Sequence, residues 1–578
     1  MTALIEFDQV SYRPPGLAND QPDILNDISG QIQQGSFIAI IGKNGSGKTT
    51  LLQLINGLLI PNSGQVIVDG LDTKQLENHR KLRAVAGMVF QNPADQIVAS
   101  TVKEDVAFGL ENLNTPSKQI QNQVTEQLSA LGMLEDADRP PHLLSGGQIQ
   151  KVALAGVLAL SPKILLLDEP TSMLDVKSRG EFLNSIRKLH QQGMTVIYVT
   201  HHMEETIHAD TIWVIDSGNL VLNDTPSVVF RQTNKLYEYG LALPEAAILA
   251  RGFHQIGLEN LHSEILTSEA LLDKLPLYPH SVNSIPQTHH QDTEIILIDD
   301  FISMENVFYT YLDKSPLQKQ ALSGVDIRIP PQTIHAVAGA NGSGKSTLLQ
   351  HINGILRPQS GFINVAGYLL HDPETRLIDV IKKVGLVFQN PESQFFEFNV
   401  KEEIAFGPKQ FMMNSIDDRI REAMTMVGLD YQIMNNRLLS TLSGGEKRKV
   451  ALASTLVLNQ DILLFDEPTA GMDPQSRNEL LKLFNHLHRS GKSIIIASHR
   501  LEELAAIASN LSIMSAGKVV LSGGINKVLF DRSAIEQTQM IQPLAVQVAE
   551  KLIKLGWPLI TQQNPTPEQL VFNMARLI

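Results

Sequence analysis

The stretch Gly42-Lys43-Asn44-Gly45-Ser46-Gly47-Lys48-Thr49 follows an apolar run, Phe37-Ile38-Ala39-Ile40-Ile41. It opens a helical pattern, Thr50-Leu51-Leu52-Gln53-Leu54-Ile55, that stops at Gly57. A strand, a glycine-rich turn and a helix in this order leave backbone N–H groups free to point inward around phosphate oxygens. The lysine then reaches the terminal phosphates and the Thr49 hydroxyl faces a magnesium ion. Gly42, Asn44, Gly45, Ser46, Gly47, Lys48, Thr49 and Thr50 are therefore candidate nucleotide-binding residues. A second copy stands at Gly339-Ala340-Asn341-Gly342-Ser343-Gly344-Lys345-Ser346 and runs on into Thr347.

The two copies are displaced by 297 residues (345 − 48). An internal duplication requires later landmarks to recur at nearly the same spacing. Val89-Phe90-Gln91-Asn92-Pro93 recurs as Val387-Phe388-Gln389-Asn390-Pro391, and Leu144-Ser145-Gly146-Gly147 as Leu442-Ser443-Gly444-Gly445. Leu166-Leu167-Asp168-Glu169-Pro170-Thr171 recurs as Leu464-Phe465-Asp466-Glu467-Pro468-Thr469, and His201 as His499. Pro244, Gly257, Thr267 and Glu269 are matched further on by Pro543, Gly556, Thr566 and Glu568. The expected organisation is a first nucleotide-binding domain over 1–240 with an appendage over 241–273, a linker over 274–298, a second domain over 299–538 and its appendage over 539–578. The linker is placed by Pro276, Pro279, Pro286 and the polar run Gln287-Thr288-His289-His290, which reads as solvated chain in the absence of further metal ligands at useful spacing.

Short apolar runs such as Lys163-Ile164-Leu165-Leu166-Leu167 and Thr195-Val196-Ile197-Tyr198-Val199 alternate with helical stretches, which suits parallel strands covered on both faces. The expected fold class is α/β, two tandem phosphate-loop nucleotide-binding domains, each with a helical subdomain (from Asp105 to Glu135 and from Glu403) and a small C-terminal helical appendage. With 578 residues, 43% hydrophobic and 19% charged, the chain has material for several packed cores. A net charge of −14 is not the balance of a dedicated nucleic-acid binder, and the absence of cysteine excludes disulfides and cysteine-ligated zinc. Neither a signal peptide nor a membrane-spanning run is read.

Asp168 and Glu169 end an apolar strand, at the sheet edge that carries the phosphate loop. Phosphoryl hydrolysis needs a carboxylate to hold magnesium and another group to polarise the attacking water, and two adjacent acids supply both. Gln91 follows a strand and its amide can ligate magnesium or sense the γ-phosphate. A neutral imidazole after the strand Val196–Thr200 can bond the γ-phosphate or the water. His201 and His202 both stand there; the second half, Ser498-His499-Arg500, keeps only the counterpart of His201. Ser145-Gly146-Gly147, opening another helix, is a further anion-seeking N-terminus, so each half carries two phosphate-seeking turns.

With these motifs the chain resembles the ATPase subunits of ABC transporters, twice over. The resemblance implies that two cores face head to tail, with each ATP between the phosphate loop of one and the Leu-Ser-Gly-Gly turn of the other. It implies one site built from Gly42 to Thr50, Gln91, Asp168, Glu169 and His201 with Ser443, Gly444 and Gly445. The other would join Gly339, Asn341, Gly342, Ser343, Gly344, Lys345, Ser346, Thr347, Gln389, Asp466, Glu467 and His499 to Ser145, Gly146 and Gly147. The implied catalytic residues are Glu169, His201, Glu467 and His499, and the implied magnesium ligands are Thr49, Gln91 and Asp168, then Ser346, Gln389 and Asp466. The loops 172–175 and 470–473 resemble the family's contact between halves. Val307-Phe308-Tyr309-Thr310-Tyr311 offers Tyr311 to stack on adenine; the first half has Pro14 at that place, and its Tyr12 aligns with Tyr309.

A narrower resemblance follows each glutamine. Gln91-Asn92-Pro93-Ala94-Asp95-Gln96 with Val102 to Gly109, and Gln389-Asn390-Pro391-Glu392-Ser393-Gln394 with Val400 to Pro408, are similar to the energy-coupling-factor ATPases that drive vitamin and transition-metal uptake. This implies ATP and Mg2+ as cofactors and integral membrane energy-coupling and substrate-binding subunits as partners. It also implies a peripheral position on the cytoplasmic side of the cell membrane, with no nucleic acid bound. Two other readings compete: a soluble tandem ATPase acting on ribosomes or nucleic acid, whose halves are typically joined by a long charged helical linker that this chain lacks, and a fused sugar-importer ATPase, in which one half commonly loses catalytic residues that are kept here in both.

Overall fold

The computed structural model describes residues 3–15, 22–172, 174–262, 264–278, 301–315, 318–560 and 565–578. His289, His290 and most of the expected linker lie outside the described residues, as does Met173 of the 172–175 loop.

The first half contributes β1 (Ile5–Tyr12), β2 (Leu25–Ile32), β3 (Phe37–Ile41), β4 (Ser63–Val68), β5 (Leu71–Asp72), β6 (Ala86–Val89), β7 (Ile164–Asp168), β8 (Thr195–Val199), β9 (Thr211–Asp216) and β10 (Asn219–Asp224). An antiparallel sheet of order β2-β1-β4-β5 stands beside a sheet of order β10-β9-β3-β8-β7-β6. The alternation in β1 turns Ile5, Phe7, Val10 and Tyr12 inward, as expected of a sheet with one buried face. β3, β7 and β8 are buried at every residue, the pattern of parallel strands covered on both sides. β3 runs parallel to β8 and β9, and β7 to β6 and β8, so the phosphate loop, Gln91, Glu169 and His201 all leave the sheet at its carboxyl edge.

The second half repeats this order with β11 (Ile302–Tyr311), β12 (Lys319–Ile329), β13 (Ile334–Ala338), β14 (Ser360–Val365), β15 (Tyr368–Leu369), β16 (Val384–Val387), β17 (Ile462–Asp466), β18 (Ser493–Ser498), β19 (Asn510–Ser515) and β20 (Lys518–Gly524). Its sheets are β12-β11-β14-β15 and β16-β17-β18-β13-β19-β20. The interiors differ. In the first half Trp213, 1% exposed, packs edge-on against Phe7 with ring centroids 5.8 Å apart. At the corresponding place in β19 stands Ser512, bonded to the buried His335 (2.8 Å) and to Ser522 (2.7 Å). Burial pushes the His335 imidazole down to about 4, so it stays neutral and packs as a polar core residue.

Between β6 and β7 the helices Val102–Asn112, Ser117–Ala130 and Gly146–Ala159 form the helical subdomain, and Val400–Gln410, Ile416–Met426 and Gly444–Leu456 form its counterpart. Thr101 and Glu104 close a reciprocal capping box on the first of these helices.

By compactness the chain divides into two units. The first takes in residues 1–247, 263–267 and 471–475; the second takes in 248–262, 268–470 and 476–578. Within the second unit, the terminal helices of both halves pack together. Helix Ser268–Asp273 lies against helix Leu544–Lys554. The bare Cα of Gly252 lets Val571 approach so closely that an added Cβ would stand 2.5 Å from it. Trp557 donates its indole N–H to the Pro276 carbonyl (2.8 Å) and takes Tyr278 edge-on at 5.1 Å.

Candidate active site

Helix Lys48–Ile55 begins at Gly47, whose φ of 104° is left-handed, and no side chain caps it. Its first N–H groups are therefore left for something other than the protein. Gly344, at φ 107°, does the same for helix Lys345–Asn353. A Cβ on Gly47 would meet Leu25 Cδ2 at 2.6 Å and the Ile24 carbonyl at 2.8 Å, so the loop can take this path only with glycine there. Lys48 folds over the loop and donates to the carbonyls of Gly42 (2.9 Å) and Lys43 (2.8 Å); Lys345 donates to those of Gly339 (2.8 Å) and Ala340 (3.1 Å). Burial lowers the Lys48 pKa, against the pull of Glu169 and Asp168. The hydroxyls of Ser46 and Ser343 are buried without a partner, which fits turns shaped to receive phosphate oxygens.

Thr49 and Ser346 donate their hydroxyls to Asp168 and Asp466. Each of these aspartates keeps one buried carboxylate oxygen, Oδ1, without a partner. Burial raises Asp168 to about 6 and raises Asp466 likewise. A hydroxyl beside an unsatisfied carboxylate oxygen suits a hard divalent cation that completes its shell with water and substrate phosphates. Among the described residues no three acidic or histidine side chains gather as a metal cage.

Glu169 and Glu467 sit one residue beyond their strands, at φ 46° and 45°. Left-handed backbone costs a glutamate about 1–2 kcal/mol. The sequence gives no sign of it. Each turn is held by a backbone bond, Glu169 N–H to the Val199 carbonyl (3.0 Å) and Glu467 N–H to that of Ala497 (2.9 Å). His201 Nε2 lies 2.5 Å from Glu169, and His499 Nδ1 lies 2.9 Å from Glu467. The histidine thus faces the glutamate in both halves, through opposite ring nitrogens, and His201 rather than its neighbour His202 is the one in place. Gln91 also donates to Glu169 (3.1 Å), while Lys345 approaches Glu467 at 3.5 Å. Burial would raise Glu467, but the bond from His499 and the charges of His499 and Lys345 outweigh it and hold its pKa below the usual range.

Ser145 and Ser443 each start a helix with a capping box, closed by Gln148 and Glu446. No heavy atom stands within 4 Å of where a Cβ would be at Gly146, Gly444 or Gly445. The local fold leaves room for side chains there. Tyr311 bonds through its hydroxyl to Thr347 (3.3 Å) and Gln350 (3.2 Å), beside the second phosphate loop. Tyr12 is 8% exposed and belongs to the apolar core. Sequence reasoning missed Glu205 and Glu503, which lie buried beside these turns with Thr171 and Thr469 bonded to them.

The family described as ABC transporter matches residues 25–172 and 322–470. A protein of Methanosarcina mazei, named only as an ABC transporter ATP-binding protein, is 31% identical over 573 residues, 96% of this chain and 95% of its own length. The energy-coupling factor transporter ATP-binding protein EcfA1 of Caldanaerobacter subterraneus is 45% identical over 274 residues, 47% of this chain and 99% of its own length. The solved structure of cbiO1 from Clostridium perfringens, part of the complex cbiONQ, is 31% identical, covers 42% of this chain and 94% of its own, and has a TM-score of 0.37. The chain belongs to the ABC transporter ATPases and carries two ATP-binding cores of that family in tandem.

Proposed function

We propose that this chain is the ATP-hydrolysing motor of an importer of the energy-coupling-factor type, driving uptake of a small solute of the vitamin or transition-metal class through separate membrane subunits. The observation that carries the reading is the 45% identity to an energy-coupling factor ATP-binding protein along nearly all of that protein's length. Two features support it. Both halves keep a glutamate, a histidine and a lysine in one buried group, and the segments after Gln91 and Gln389 present apolar side chains to solvent. Val98 and Phe108 do so in the first half, Phe396 and Phe398 in the second. No helix among the described residues is long and apolar enough to cross a membrane. In this reading the membrane path belongs to partner subunits and the chain works peripherally from the cytoplasmic side.

In this reading Lys48 and Lys345 leave their loop carbonyls for the terminal phosphates. Thr49 with Asp168, and Ser346 with Asp466, hold magnesium, which offsets phosphate charge when bound; Gln91 and Gln389 complete each set. Glu169 and Glu467 orient the attacking water and take up its proton, and His201 and His499 hold each glutamate in line. Ser443 with Gly444 and Gly445 closes on the nucleotide at Lys48, and Ser145 with Gly146 and Gly147 on that at Lys345. Tyr311 lies against adenine at the second site.

Two measurements test the reading. Glu169→Gln combined with Glu467→Gln should lower ATP turnover at least about a hundredfold; unchanged turnover would refute the catalytic assignment. Purification of the tagged chain from gently solubilised membranes should bring down integral membrane proteins. Recovery with ribosomes instead would overturn the transport assignment.

A further inference from the structure

Behind each glutamate–histidine pair lies a buried carboxylate. Glu205, 4% exposed, accepts from the Thr171 hydroxyl through Oε1 (2.7 Å). Through Oε2 it accepts from Thr200 (2.5 Å) and Tyr198 (2.8 Å). Thr171 stands two residues after Glu169, and Thr200 one residue before His201. The Thr200 oxygen in turn accepts the N–H of His202 (3.0 Å), so the turn carrying His201 is pinned on both sides. Arg179, on the helix Val176–Gln191, reaches Glu205 at 3.7 Å.

The second half places Glu503 at the same point with different partners. It accepts from Thr469 (2.5 Å) and is paired with Arg500 (2.8 Å) and Arg477 (3.1 Å), while the Ser498 hydroxyl accepts the Arg500 N–H (3.1 Å). Tyr198 is replaced by Ile496 and His202 by Arg500. A carboxylate buried only to satisfy its neighbours would have no reason to keep one position while its donors changed from hydroxyls to guanidinium groups. What both halves retain is the link to the threonine after the glutamate, and a link to the histidine turn that runs through the Thr200 hydroxyl to Glu205 in the first half and through the Arg500 guanidinium to Glu503 in the second.

We propose that Glu205 and Glu503 are positioning residues for hydrolysis: each fastens the turn of the glutamate to the turn of the histidine, so that Glu169 with His201, and Glu467 with His499, stay in register at the reacting phosphate. The two turns leave adjacent parallel strands, β7 beside β8 and β17 beside β18, where one backbone bond, Glu169 N–H to the Val199 carbonyl or Glu467 N–H to that of Ala497, ties the glutamate to the end of the strand before the histidine. The buried carboxylate adds a side-chain tie from the threonine beyond the glutamate to the histidine turn itself. Since it touches no reacting atom, its loss should leave nucleotide binding intact and slow the chemical step.

The proposal rests on the assignment of Glu169, His201, Glu467 and His499 as the hydrolytic groups. Its test is the steady-state ATPase of the full chain carrying Thr171→Val and Thr469→Val, which cuts the link in both halves whatever the coupling between them. The kcat should fall about tenfold or more, with the KM for ATP and the Tm held. Thr171→Ser with Thr469→Ser, keeping the hydroxyls, should restore the rate. A second pair, Thr200→Val with Arg500→Met, cuts the histidine-turn side of each link and should reproduce the fall. Unchanged kcat in both pairs, or a loss of rate that tracks Tm and KM and is not restored by serine, overturns the proposal. Full turnover in Glu169→Gln with Glu467→Gln would instead overturn the assignment beneath it.

Discussion

Asp168→Asn should make the nucleotide-free protein more resistant to heat at neutral pH, although it removes a group assigned to the site. The Asp168 carboxyl is raised from 3.8 to about 6, chiefly by burial, with one oxygen left without a partner. A folded pKa above the unfolded one means that the folded state holds the proton more tightly. The charge therefore brings no penalty below about pH 4, a growing one between 4 and 6, and the whole of it above 6. At 1.36 kcal/mol per unit the full penalty is about 3 kcal/mol. For a half of this size that corresponds to a shift in Tm of about 6–12 °C. The assay is thermal melting of the wild type and the variant in the absence of nucleotide from pH 4 to pH 8. The difference in Tm should open across pH 4–6 and then stay level; any fixed offset from exchanging oxygen for an amide drops out of this slope. A difference independent of pH, or a wild type that gains on the variant as pH rises, would refute the reasoning. Adding Mg2+ and ATP should close the gap by stabilising the ionised wild type, because a bound cation relieves the same burial.

Two further outcomes follow from the geometry. Gly47→Ala forces a side chain into left-handed backbone at φ 104° and against Leu25 and the Ile24 carbonyl, so the rise in Tm that ATP produces should be lost and the apo protein weakened by about 1–2 kcal/mol or more. Phe396→Asp with Phe398→Asp alters rings that are 72% and 83% exposed; ATP turnover of the isolated chain should hold while integral membrane proteins no longer copurify with it.

Much of the site was legible because its chemistry is local in sequence. The phosphate loops, the paired acids after β7 and β17 and the serine–glycine turns are short runs whose spacing is set by one strand, one turn or one helix end. What escaped is what depends on approach between distant segments. Glu205 is one of 61 acidic residues, and nothing around it in sequence tells that three hydroxyls converge on it. The left-handed backbone of Glu169 and Glu467 is equally silent, since glutamate is no signal for it. The duplication was legible to within a residue or two, yet it conceals divergence inside: Trp213 against Phe7 in one core, and Ser512 bonded to His335 in the other. Of the two adjacent histidines, the repeat favoured His201, and the geometry sets that ring against the glutamate.

The seating of Gly252 against Val571 also fixes a schedule for synthesis. Helix Glu245–Gln255 leaves the ribosome when the first half is nearly complete, but the valine packed against its Gly252 is still 319 positions away (571 − 252). At about 5–20 residues per second the wait is about 15–60 s. Throughout that interval the contact between Gly252 and Val571 cannot form. The packing of this helix is thus completed only after the second half has been made, and truncations that end before Pro567 should melt at a lower temperature than the full chain even though both ATP-binding cores are present.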